Sequence, residues 1–179
     1  MIKFIFSIAW YLLLVYFLIL IPQYLYLPTR EFSLPFLMLL VRFPILYIHE
    51  AGHFFFGFFG KTVMFMGGSL MQLLVPLVWY FFARKENSSL QYLALFITGF
   101  SICDVSLYMK DAGMLLLPLI GGLSKVHHDW ANIFSVWGLL DESYAIGEVV
   151  FWIGMFVAVF AIYSGVKEAV TECRSLHSS

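Results

Sequence analysis

Ile45-Leu46-Tyr47-Ile48-His49-Glu50-Ala51-Gly52-His53-Phe54-Phe55-Phe56 is an HExxH sequence set inside an apolar run. Residues four apart share one face of a helix, so His49 and His53 offer two imidazole nitrogens to a single metal ion. Glu50 stands beside them, free of ligand duty. In this pattern the metal lowers the pKa of a bound water to about 7 and polarises a scissile carbonyl, while the glutamate takes the water's proton. Chance delivers an HExxH in about one shuffled version of this chain in two hundred, so the motif alone is a hypothesis. The apolar setting adds weight, because a charged carboxylate at the centre of a membrane helix costs roughly 2.5 kcal/mol or more unless it is paired, hydrated or metal-bound. The alternative is a polar cluster hydrogen-bonded between helices with no metal.

Composition points to the compartment. Of 179 residues, 62% are hydrophobic, 20% aromatic and 12% charged, about half the charge usual in soluble domains. A mean hydropathy of +0.91 completes the profile of an all-α integral membrane protein. The length leaves room for one membrane domain, 1–179, divided into a first helix and loop (1–33), a metal-site core (34–140) and a last helix with a polar tail (141–179). Cys103 and Cys173 are far apart and form neither a disulfide framework nor a thiolate zinc pair. A net charge of −1 without a basic run excludes nucleic-acid binding as a theme.

Apolar stretches predict about five transmembrane helices: Phe4 to Ile21, Pro35 to Phe59, Val63 to Phe82, Leu90 to Met109, and Ile146 to Gly165. The tail from Lys167 to Ser179 is polar. Gly113 to Gly122 is apolar but too short to cross, and reads as a re-entrant or interfacial piece. Arg42 is expected to snorkel to the headgroups rather than pair with a carboxylate. Lysines and arginines, with Lys61, Lys110 and Lys125 falling on one side and Arg30, Arg84 and Lys85 on the other, set no orientation.

A catalytic zinc with two histidines needs a third protein ligand and an open position. Asp104, Asp111, His127, His128 and Asp129 are the candidates. The chain resembles the site-2 protease class of intramembrane metalloproteases, and within it small bacterial M50-type membrane proteins. The residues that carry the resemblance are His49-Glu50-Ala51-Gly52-His53, the stretch Gly67-Gly68-Ser69-Leu70-Met71-Gln72 through Pro76, Asp104 with Tyr108 and Asp111-Ala112, Leu117-Pro118-Leu119, and His128-Asp129-Trp130. In that class an aspartate two helices after the HExxH helix completes the site, which implies Asp104 as third ligand. The Leu-Asp-Gly signature around it is replaced here by Cys103-Asp104-Val105, so His128 and Asp129 remain alternatives, with Asp111 behind them.

The resemblance implies a zinc-dependent protease cutting in or near the transmembrane segments of other proteins, placed in the lipid bilayer of a bacterial inner membrane. Glu50 is then the general base, and His49, His53 and Asp104 hold Zn2+. Gly67 and Gly68 are the expected docking edge for an unwound substrate strand. Two other readings stay open: a metal- or partner-binding relic of the same fold that does not cut, and a proton or ion pathway built on Glu50, Asp104 and Asp111.

Overall fold

A computed structural model describes residues 2–119 and 122–177, with the side chains of 9–119 and 122–175. Among the described residues six α-helices follow one another: α1 Ile2–Tyr24, α2 Phe36–Phe56, α3 Lys61–Lys85, α4 Leu90–Asp111, α5 Asp129–Trp137 and α6 Ser143–His177. The described residues contain no strand. Three of the helices, α3, α4 and α6, are long and apolar enough to cross a membrane. The described part of α1, Ala9–Tyr24, is apolar but shorter, and α2 carries Arg42, His49, Glu50 and His53 within its apolar run.

The arrangement follows from which helices carry small residues. α4 lies at the centre, 67% buried along its apolar stretch against 28% for α3 and 33% for α6. It packs on α6 and α3, while α2 lies on α3 and α1 on α6. The α4–α6 seam is lined by Gly99, Gly147 and Gly154, and a Cβ on Gly99 would stand 2.6 Å from the backbone nitrogen of Ala158. Leu14, Ile21, Phe100, Leu107 and Phe151 fill the core between α1, α4 and α6. Val105, Met109, Ile133 and Phe134 form a smaller one under α5. Outward-facing side chains are large and apolar, Tyr47 76%, Phe54 71% and Phe156 71% exposed, a surface suited to hydrocarbon rather than water.

α2 and α3 cross at glycines. A Cβ on Gly52 would lie 2.2 Å from the Gly67 carbonyl oxygen, a rigid backbone atom. Gly52→Ala is therefore expected to force the two helices apart and to destabilise the bundle by about 3 kcal/mol, the upper end for overpacking. Thermal unfolding of the detergent-solubilised protein reads this as a lowered midpoint.

Two expectations, the Gly67–Gly68 edge and the placement of Lys110, need correcting. Gly67 and Gly68 are buried in the middle of the continuous α3, their amides committed to the helix, so they offer no strand-like edge to a substrate. The polar tail is helical: α6 runs on to His177, where Lys167 to Ala169 favour helix beyond the apolar stretch, and Glu168 accepts a hydrogen bond from the Tyr92 hydroxyl of α4. Lys110 is not a loop charge. It is fully buried on α4, with Nζ 2.7 Å from Glu148 Oε2 and donating to the Tyr26 carbonyl at 3.1 Å.

The segment expected to be re-entrant is irregular over 112–119, and Ile120 and Gly121 lie outside the described residues. Asp111, at the end of α4, accepts from the backbone amides of Leu116 (2.7 Å) and Leu117 (3.1 Å). One buried carboxylate thus folds the loop back against the helix that carries it.

Candidate metal centre

One turn of α2 places His49 and His53 with ring centroids 4.8 Å apart and planes at 80°. His53 Nδ1 lies 2.8 Å from the Met64 carbonyl oxygen of α3, which can only accept, so the proton sits on Nδ1 and the lone pair on Nε2. His49 Nδ1 lies 2.9 Å from the amide oxygen of Gln72, also on α3. Both Nε2 atoms then turn the same way. They meet Asp129 Oδ2 of α5, 3.1 Å from His49 and 3.4 Å from His53.

Three electron-pair donors pointing at one place repel unless a proton or a metal cation lies among them. Two imidazole nitrogens and a carboxylate oxygen form a borderline-soft set suited to zinc, each imidazole being oriented through its other nitrogen. Helix α3 shapes the remaining wall. A Cβ on Gly68 would come within 2.5 Å of His49 Nε2 and 2.7 Å of His53 Cε1, so only glycine lets the rings stand where they do. The residues present therefore fit a bound zinc ion.

The candidate carboxylates separate clearly. Asp104, first in the sequence ordering, has Oδ1 2.7 Å from Arg42 Nε and Oδ2 2.9 Å from Gln72 Nε2. Both of its oxygens are taken by these partners, and Gln72 stands between it and His49. Arg42 pairs with it instead of snorkelling. His128 is spent as well, since Nε2 donates to Asp111 at 3.2 Å and Nδ1 accepts from the Ala131 amide at 3.2 Å, capping α5. His127 ends a single 3-10 turn, Lys125–His127, and is exposed at the cavity rim. Asp129 is the carboxylate that the fold delivers to both histidines.

Why Asp129 arrives there is a local matter. His128 is pinned by Asp111 and stacked on Tyr108 at 4.1 Å, and the Tyr108 hydroxyl accepts from the Asp129 amide at 3.3 Å. Trp130, the next residue, donates from Nε1 to Ser69 Oγ of α3 at 3.1 Å. When the imidazoles carry protons on Nε2, burial still works against a charged Asp129, but hydrogen bonds from His49 and His53 outweigh it and hold the carboxyl below its ordinary range.

Comparison of the chain with family models, curated proteins and solved structures found no match.

Glu50 is exposed into the cavity, and His49, Glu50 and His53 each bring a ligand-type atom within 4.8 Å of the others. The cavity has a volume of about 230 Å3, with Phe32, Leu46, Phe65, Val105, Leu117 and Pro118 among its apolar walls. The loop folded by Asp111 is thus one side of the chamber. Sequence reading singled out both histidines, Glu50 and, as an alternative, Asp129, but gave Gln72 and Tyr108 no part in holding the site. A glutamine inside an apolar run was the available signal for Gln72, since a buried amide requires partners.

Proposed function

We propose that this chain is a membrane-embedded zinc metallopeptidase of the site-2 protease kind, acting on a transmembrane or membrane-proximal peptide of another protein in a bacterial inner membrane. The convergence of His49 Nε2, His53 Nε2 and Asp129 Oδ2 carries the reading, together with a carboxylate beside them that the ligand set leaves free. In this reading α1 and α2 also lie in the bilayer, making five spans with α3, α4 and α6, and α5 rests at the interface with Asp129 as third ligand.

Zinc in such a site supplies Lewis acidity, drawing electron density from a water and from a substrate carbonyl. The chain does the rest. Glu50 takes a proton from the attacking water and returns it to the leaving amide nitrogen. The apolar walls exclude bulk water and accept a locally unwound, hydrophobic segment. Arg42 and Asp104 neutralise each other one level away, and Asp111 is occupied by loop amides and His128, which makes a continuous carboxylate pathway the weaker reading.

Elemental analysis of the detergent-purified chain tests the centre. The parent is expected to hold about one zinc per chain, the ratio of a mononuclear site, and His49→Ala, His53→Ala and Asp129→Ala are each expected to lose it. A zinc-free parent after zinc-replete, chelator-free purification would overturn the proposal, and full retention by Asp129→Ala would remove Asp129 from the ligand set.

A further inference from the structure

The tautomer of His49 is decided three residues away from the metal position. A glutamine beside an imidazole does not settle it, because the amide can turn over and present either its oxygen or its NH2 group. With the oxygen toward His49, the proton is on Nδ1 and the Nε2 lone pair faces outward. With the NH2 group toward His49, Nδ1 accepts and the proton moves to Nε2. That proton would then point at Asp129 Oδ2, 3.1 Å away, and the histidine and aspartate would satisfy each other with no place left for a metal.

Asp104 removes the second possibility. Paired with a guanidinium, its carboxylate accepts hydrogen bonds and donates none, and its Oδ2 is 2.9 Å from Gln72 Nε2. Gln72 must therefore direct NH2 to Asp104 and oxygen to His49. Asp104 is held in turn by Arg42 Nε at 2.7 Å, and the Arg42 guanidinium lies over the Phe32 ring at 4.9 Å. Gln72 is 2% exposed and Asp104 5%, so water does not compete for the amide.

We infer that Arg42, Asp104 and Gln72 form a donor-to-acceptor relay whose task is to keep the Nε2 lone pair of His49 available to metal and to stop the site closing on itself. This rests on the proposed metal centre and gives Asp104 a positioning role in place of a ligand role. The direction of each bond matters, and that direction can be reversed. In Asp104→Asn, Arg42 can only donate and claims the lone carboxamide oxygen. The new NH2 group then faces Gln72, which turns over and drives the proton to His49 Nε2. Adding Arg42→Gln frees the choice: the introduced glutamine offers its oxygen to the asparagine NH2, the asparagine oxygen accepts from Gln72, and the original direction returns.

The test is zinc affinity of the full chain in detergent, by competition with a chromophoric chelator, with the absorption spectrum of the Co2+-loaded protein as a second readout. Asp104→Asn and Gln72→Met are expected to bind zinc 10- to 100-fold more weakly, roughly the effect of losing a group that orients a ligand histidine, and to change the Co2+ spectrum. The Arg42→Gln/Asp104→Asn double variant is expected to recover to within about threefold of the parent with a parent-like spectrum, since the orienting bond is restored. Parent-like affinity in both single variants overturns the relay. So does a double variant as weak as Asp104→Asn, the result required if Asp104 ligates directly or acts only through charge. Should Asp104→Asn fail to purify folded, Gln72→Met decides alone. A parent that binds no zinc overturns the metal centre itself, a failure visible before any variant is compared.

Discussion

Glu50→Gln is expected to keep about one zinc per chain, because the proposed ligands are His49, His53 and Asp129, and to slow hydrolysis roughly 100- to 10,000-fold, the usual contribution of a positioned general base. The amide preserves size and hydrogen bonding but cannot hold the proton taken from water. Cleavage of a panel of single-span peptides in detergent, followed by mass spectrometry, measures it against the parent. A metal-replete parent that cuts nothing, with Glu50→Gln indistinguishable from it, would leave a metal-binding membrane protein and defeat the peptidase reading. Loss of metal in Glu50→Gln would place the carboxylate among the ligands instead.

Gly68→Ala is expected to abolish tight zinc binding without altering any ligand. Its methyl group would stand 2.5 Å from His49 Nε2, 2.7 Å from His49 Cδ2 and 2.7 Å from His53 Cε1, inside the contact distance of all three atoms. Both rings lie on α2, and α2 is seated against α3 at the Gly52–Gly67 contact, so the rings rather than the helices must yield. Displacing both lone pairs by some tenths of an ångström is expected to weaken zinc binding by about 100-fold or more, at least the loss from disturbing one orienting partner. Competition for zinc against a chelator measures it, with helicity by circular dichroism confirming a folded bundle. Parent-like binding in Gly68→Ala would mean that α3 is not packed on the imidazoles.

Much of the centre was legible because its parts are local. His49, Glu50 and His53 need only one helical turn to stand together, and a helix is what an apolar run of that length in α2 becomes. Asp129 is different. It lies 80 residues from His49 in sequence, on a nine-residue helix whose position depends on the Asp111–His128 contact and on Trp130 reaching Ser69. Asp104 was favoured on its place in the order of spans, which fixes the helix that carries a residue but not the height or face at which it points. Arg42 and Gln72 settle where it points by taking one oxygen each.

By itself, then, the sequence determined a helical, membrane-type chain, the face that carries the two histidines, and the carboxylate beside them, all consequences of composition and of a 3.6-residue period. The tertiary structure alone decided which aspartate meets the histidines, that Gly67 and Gly68 serve helix approach and ring clearance, and that Gln72 bridges His49 and Asp104. Those outcomes depend on distances of about 3 Å between helices far apart in the chain, the range in which a hydrogen bond exists or does not, and no periodicity within a single helix specifies them.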